Sequence, residues 1–250
     1  MKVYITGAGA GNPEWLTVQA DRLLRNARIC IYAGSLVNPQ ILELLPDACE
    51  RHDSAHLCLA EIIALCVDAQ TRNIDVVRLH TGEPSIYGAI GEQMNALAER
   101  DIAFEMIPGI SAFQASAAAL KCELTAPEIA QTVILTRAAG RTPLPPEQDL
   151  VKLAAHNATL CIYLSAANVA LICEQLRPFY GDECPAAVVY HASWPDEQIF
   201  RGTLETVPSL VERAEIKRTA LILVGQALDR PLHVSKLYDA SFSHGYRGTK

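Results

Sequence analysis

Val3-Tyr4-Ile5-Thr6-Gly7-Ala8-Gly9-Ala10-Gly11-Asn12-Pro13 is a short apolar run that breaks into glycines. Leu16, Ala20, Leu23, Leu24 and Ala27 then recur at helical spacing. Asn12 suits an N-cap and Pro13 a first helical position. Strand, glycine turn and helix in that order make the opening unit of an α/β sheet. The pattern repeats along the first half: strands at 28–32, 75–79 and 103–107, a helix face marked by Leu59, Ile62, Ile63 and Cys66, and a helix over 86–97. Such repetition predicts a mainly parallel sheet covered on both faces. The second half has strand-like runs at 132–136, 159–164, 186–190, 198–202 and 220–224, with a Pro-rich loop over 138–146. The 198–202 run can pair antiparallel, so a mixed sheet is expected. The fold class is therefore α/β with two α/β domains, residues 1–115 and 116–250. The Ala-rich stretch near 113–122 is the boundary and a candidate connector.

Half of the 250 residues are hydrophobic and a fifth are charged, which allows packed cores and argues against disorder. A formal net charge of -7 repels nucleic acid and anionic membranes, so neither is an expected partner. The N-terminus enters a strand directly and resembles no signal peptide. No run approaches the roughly 20 apolar residues of a membrane span. A cytoplasmic protein is expected. Eight cysteines lie scattered without CxxC spacing, several inside apolar runs; they read as reduced core thiols, and no metal is expected.

Four stretches carry candidate chemistry. Gly7–Pro13 lets backbone approach a ligand beside a helix N-terminus. It breaks the dinucleotide fingerprint GxGxxG, since Asn12 holds the third glycine position. Taken alone it is equally a tight turn. Leu79-His80-Thr81-Gly82-Glu83-Pro84-Ser85-Ile86-Tyr87-Gly88 also leaves a strand, where open α/β sheets form ligand crevices. Glu83 there either meets ligand hydroxyls or caps the next helix. Ile107-Pro108-Gly109-Ile110-Ser111-Ala112-Phe113 repeats the arrangement, with Ser111 a natural cap. Together these turns describe one crevice better than three unrelated loops. In the fourth stretch Arg137 and Arg141 follow a strand end, and guanidinium forks suit carboxylates; the alternative is a pair of solvated surface arginines.

In order, these stretches resemble the tetrapyrrole methyltransferase family. The likeness includes GAGAGNPEWLT (7–17), VVRLHTGEPSIYGAI (76–90) and MIPGISA (106–112). It also includes YHASWPDEQIFRGTL (190–204), while the TRxxGRTP part of LTAPEIAQTVILTRAAGRTPLP (124–145) and the SKLYD…HGYR tail (235–247) resemble more particularly its branch acting at C11 of precorrin-4 or cobalt-precorrin-4, in cobalamin synthesis. The resemblance implies S-adenosylmethionine as cofactor, S-adenosylhomocysteine as product, a cleft between two domains as its site, and a homodimer. Carried over by motif, the cofactor-binding residues are Ala10, Thr81, Gly82, Glu83, Ile86, Tyr87, Ser111, Ala112, Leu164, Ala192, Ala220 and Leu221. Ala10 stands where the family commonly has Pro, and Asn12 and Glu83 where Asp is common.

A sulfonium methyl and an electron-rich macrocycle carbon need positioning and exclusion of water more than a strong acid or base. No catalytic triad is visible, and no catalytic residue is assigned. A tetrapyrrole bears several carboxylates, which raises Arg137 and Arg141 to substrate-binding candidates, with His191 and Arg201 behind them. The rivals are a family member acting elsewhere on the ring or on uroporphyrinogen III, a diphthine synthase, an NAD(P)-dependent oxidoreductase, and a tetrapyrrole-binding protein without catalysis.

Overall fold

The computed structural model describes residues 1–140, 142–229, 242, 243 and 245. They fall into two compact units. One comprises residues 1–115 together with 191–197; the other comprises 116–190 and the described residues from 198 onward.

The first unit is built on five parallel strands, β1 (Lys2–Gly7), β2 (Ile29–Tyr32), β3 (Glu50–Asp53), β4 (Val76–His80) and β5 (Ala103–Ile107), in the order β3-β2-β4-β1-β5. Four helices alternate with them: α1 (Val18–Arg25), α2 (Pro39–Leu42), α3 (Leu59–Thr71) and α4 (Gly91–Ala98). The period-2 pleat sends alternate side chains to opposite faces. Ile29, Ile31 and Val76 join Ile63, Cys66 and Leu97 on one face, while Cys30, Val77 and Leu79 join Leu24, Val37 and Ile41 on the other. Each large side chain fully buried this way contributes roughly 1.5–3 kcal/mol of transfer free energy. The chain leaves β1 toward β2 and leaves neighbouring β4 toward β5, in opposite directions along the sheet. Reversals of this kind place a ligand crevice outside the strands' C-terminal ends.

The second unit carries β6 (Val133–Arg137), β7 (Thr159–Tyr163), β8 (Pro185–Tyr190), β9 (Gln198–Thr203) and β10 (Ala220–Val224), ordered β6-β7-β10-β8-β9. Only β6 and β7 pair parallel; the other pairs are antiparallel. Helices α6 (Leu150–Ala154), α7 (Val169–Tyr180) and α8 (Val207–Arg213) bury Leu150, Ile172, Leu176 and Val211 against Leu160, Ile162, Val188 and Ile222. Helix α5 (Ala112–Leu120) contains the division between the units.

Two expected helices begin later than their spacing predicts. Asn12 does cap, but its side chain accepts from the Glu14 N–H of a single 3-10 turn, Pro13–Trp15; α1 starts at Val18, capped by the Thr17 hydroxyl. The helix expected over 86–97 is confined to α4, because Tyr87 and Ala89 sit at φ 55° and 48°, outside helical backbone. Residues 84–87 form a turn, so Glu83 caps no helix there.

All eight cysteines are free thiols. Burial pushes Cys30 and Cys161 up to about 12, so both stay protonated and unreactive.

Candidate functional site

The three strand-end turns of the first unit meet backbone to backbone. A Cβ at Gly7 would lie 2.7 Å from the Gly109 Cα and from the Gly82 carbonyl oxygen, and one at Gly109 would lie 2.3 Å from that same oxygen. Only glycine permits such an approach. Gly9 and Gly82 exchange hydrogen bonds, 3.2 Å for Gly9 N–H to Gly82 O and 2.8 Å for the return. Ala8 N–H donates to His80 O at 2.7 Å.

Glu83 ties the second turn to the third. Its Oε1 accepts from Ser85 N–H at 3.0 Å and its Oε2 from Gly109 N–H at 2.8 Å. Burial alone would push the carboxyl up, but the Gly109 and Ser85 backbone N–H groups, with the Ser85 hydroxyl, outweigh it and hold the group below the ordinary Glu range. Glu83→Gln leaves one oxygen for two N–H groups and is expected to cost about 1–3 kcal/mol of stability. Glu83→Asp keeps both oxygens on a shorter stem and costs less. Denaturant midpoints of the two variants check this, and a Gln variant as stable as wild type contradicts it.

Nearly every polar backbone group of the first turn has a partner. Asn38 Nδ2 donates to Gly11 O at 2.9 Å, Trp194 Nε1 to Ala10 O at 2.8 Å, and Asn12 N–H to Ser193 Oγ at 3.0 Å. The N–H groups of Ala10 and Gly11 have no acceptor among the described residues. A Cβ built on Gly82, at φ 63°, would meet only the Ser111 Cα at 4.0 Å among the described residues, so that face of the backbone is not packed against any of them. Two donors without partners beside an open glycine face suit a ligand that presents oxygen acceptors.

The remaining candidates of this unit lie around that knot. Thr81 and Tyr87 are exposed, and Ile86 N–H closes the turn onto Glu83 O at 3.1 Å. Ser111 is buried. Its N–H donates to Gln114 Oε1 at 2.9 Å, half of a capping box, at the start of α5 where Ala112 is the first residue. Ala192 is buried next to Ser193 and Trp194, which hold the first turn.

In the second unit, Arg137, Leu164, Ala220 and Leu221 share one end of the sheet. Arg137 pairs with Tyr163, Ala220 with Tyr190 and Leu221 with Val189; the β10–β7 register, continued by two residues, sets Ala220 opposite Leu164. Leu164 is 76% exposed at φ 54°, an uncommon state for a large apolar residue. The Arg137 guanidinium donates to Thr142 O at 3.1 Å and Pro143 O at 2.8 Å, so it braces the loop it opens. Arg141 lies outside the described residues, as does most of the 235–247 tail. The weaker candidates are already engaged: His191 Nδ1 meets Asp196 at 2.9 Å, and Arg201 donates to the Leu120 carbonyl.

Spacing alone does not reveal Asn38, Ser193 or Trp194, which hold the glycine turn from distant segments. Nor does it reveal Arg78, 7% exposed, whose Nε donates to Gln93 Oε1 at 3.0 Å and whose Nη1 donates to Ile31 O at 3.2 Å. Gln93 in turn donates to Ala89 O at 2.9 Å, which steadies the segment after the second turn. An arginine inside the apolar run VVRLH is the one visible hint of it.

A sequence profile of the tetrapyrrole (corrin/porphyrin) methylases matches residues 2–208. The chain is 48% identical to a cobalt-precorrin-4 C(11)-methyltransferase of Methanocaldococcus jannaschii, over 98% of this chain and 96% of that protein. It is also 48% identical to a precorrin-4 C(11)-methyltransferase of Pseudomonas aeruginosa, over 99% of each. The crystal structure of a cobalt precorrin-4 methyltransferase superposes with a TM-score of 0.89 at 39% identity, covering 92% of this chain and 96% of that one. A Thermus thermophilus uroporphyrin-III C-methyltransferase complexed with S-adenosylhomocysteine superposes at 0.76 with 28% identity, covering 92% and 94%.

Proposed function

This chain belongs to the tetrapyrrole (corrin/porphyrin) methylases, and from that premise we propose that it methylates C11 of precorrin-4 or cobalt-precorrin-4 in cobalamin biosynthesis. It is an S-adenosylmethionine-dependent methyltransferase. The observation that carries the reading is the glycine knot, in which three strand-end turns lock together and leave the Ala10 and Gly11 N–H groups without acceptors.

The residues present fit the cofactor. Ala10 and Gly11 offer N–H donors, Gly82 offers an open backbone face, and Thr81, Ile86 and Tyr87 line the adjoining turn. Glu83, Ser111 and Ala112 keep the turns in place. Leu164, Ala192, Ala220 and Leu221 complete the proposed set. When bound, S-adenosylmethionine supplies a sulfonium methyl that is already strongly electrophilic. The chain's own part is to orient and to exclude water, and no proton transfer by a side chain is required. Calorimetric titration tests the assignment: S-adenosylhomocysteine should bind and NAD should not. Binding of NAD alone would return the chain to the oxidoreductase rival.

Arg137 is proposed to grip a carboxylate of the macrocycle with the N–H groups that Thr142 and Pro143 leave over, while bracing the loop; Arg141 is proposed as its partner. Contacts made equally in ground and transition state affect KM when lost and leave kcat nearly intact. Arg137→Ala should raise the tetrapyrrole KM about tenfold or more, the scale of a charge-assisted hydrogen bond. Its S-adenosylhomocysteine affinity should stay at the wild-type value. A wild-type tetrapyrrole KM in this variant would make Arg137 a loop brace only.

Family membership also supports a homodimer acting in the cytoplasm, for which sizing by light scattering is the check. Among the described residues no helix is long and apolar enough to cross a membrane.

A further inference from the structure

We propose that Trp194 is a positioning residue for the cofactor-holding turn, an inference that rests on the reading of that turn as the S-adenosylmethionine site. The peptide bond is a rigid plane, and in the trans form its C=O and N–H point in opposite directions. All peptide bonds described here are trans. A hydrogen bond to one residue's carbonyl therefore aims the next residue's N–H.

Two successive planes of the turn are anchored at the carbonyl and open at the N–H. Gly9 O is held by Gly82 N–H at 2.8 Å, which aims the Ala10 N–H. Ala10 O is held by Trp194 Nε1 at 2.8 Å, which aims the Gly11 N–H away from the indole. The plane after these is held at both ends, Gly11 O by Asn38 and Asn12 N–H by Ser193 Oγ. The turn is thus set so that two neighbouring N–H groups remain for a ligand acceptor. Trp194 fixes the direction of one of them.

Trp194 is itself held in place. Its ring stacks on His191, with centroids 4.4 Å apart and planes 24° from parallel, and His191 Nδ1 is fixed by Asp196 at 2.9 Å. Ser193 N–H donates to Glu197 Oε2 at 2.7 Å. The indole also lies flush against Gly11, where an added Cβ would fall 2.1 Å from Trp194 Cδ1. Gly11 is glycine because the indole fills the space of a side chain. The segment 191–197 joins β8 to β9, yet it clusters with the first unit. The tether acts across 184 residues of sequence.

Trp194→Phe removes the donor and keeps an aromatic ring to stack on His191. The S-adenosylhomocysteine dissociation constant and the KM for S-adenosylmethionine should both rise about five- to tenfold, the scale of one neutral hydrogen bond. The kcat should remain near wild type, because a donor aimed at bound cofactor acts alike in ground and transition state. The melting temperature falls modestly under either reading, since a hydrogen bond of the free fold is lost; a merely structural role would leave the dissociation constant of the folded fraction unchanged. Wild-type affinity in Trp194→Phe overturns the proposal. Should that variant fold poorly, 15N amide spectra of the wild type decide. The Gly11 and Ala10 resonances must be among those shifted most by S-adenosylhomocysteine, and unmoved resonances overturn the proposal equally. Wild-type protein that binds no S-adenosylhomocysteine refutes the cofactor assignment itself, whereas wild-type binding with an unaffected Trp194→Phe refutes only the role of Trp194.

Discussion

Gly109→Ala is expected to destroy S-adenosylhomocysteine binding and to cost the fold about 3 kcal/mol or more, above the usual range for overpacking because the obstruction is backbone. The new methyl would sit 2.3 Å from the Gly82 carbonyl oxygen and 3.0 Å from the Gly7 Cα. Neither neighbour can swing aside as a side-chain tip could. Relief requires the second and third turns to part, which breaks the 2.8 Å bond from Gly109 N–H to Glu83 Oε2 and shifts the Gly82 face. Gly140→Ala is the matched control, since nothing among the described residues lies within 4 Å of its added Cβ. Calorimetric titration and urea midpoints of both variants give the comparison. A folded Gly109→Ala with wild-type affinity would show that the three turns do not act as one site.

The second large effect is on acid stability and comes from His80. This last residue of β4 is 5% exposed, and its Nε2 is buried without a hydrogen-bond partner among the described residues. Burial, reinforced by the Arg78 guanidinium, pushes its imidazole down to about 3. The unfolded chain titrates this group near pH 6.5. Above that pH both states carry a neutral ring and His80 adds no pH dependence. As pH falls from about 6.5 toward 3, the unfolded state takes up a proton that the folded state refuses, so stability is lost across that window. The full loss is on the order of 5 kcal/mol for a shift of this size. A His80→Gln variant should lose markedly less stability than wild type between neutral pH and pH 4, measured by urea denaturation at each pH. Parallel curves for the two proteins would contradict the buried neutral imidazole. Glu83 adds to the slope in the same direction, because its depressed carboxyl stabilises the fold above its unfolded value and ceases to do so as pH falls.

The α/β organisation is legible because the buried strands are short apolar runs that alternate with amphipathic helices. β3, Glu50–Asp53, escapes this reading: it is a polar edge strand with three of four residues exposed, and edges need no apolar alternation. The start of α4 is misread for a different reason. Ile86, Ile90 and Leu97 keep helical spacing, yet Tyr87 and Ala89 take positive φ, which no helix accommodates. At the site, the meeting of the three turns follows from their places at strand ends, so it is visible in sequence. The role of Glu83 as a staple between turns is not, because its partner Gly109 N–H is 26 residues away and backbone donors leave no residue-type signature. Trp194 and Asn38 are hidden in the same way.

The most direct test of the central claim is a turnover experiment with S-adenosylmethionine carrying a 13C-labelled methyl group. Purified protein is incubated in parallel with precorrin-4 and with cobalt-precorrin-4, and the products are examined by mass spectrometry and carbon NMR. The account predicts that at least one of them gains a single labelled methyl at C11, with stoichiometric S-adenosylhomocysteine. Label at another ring carbon, or S-adenosylhomocysteine binding with no transfer to either macrocycle, would contradict it.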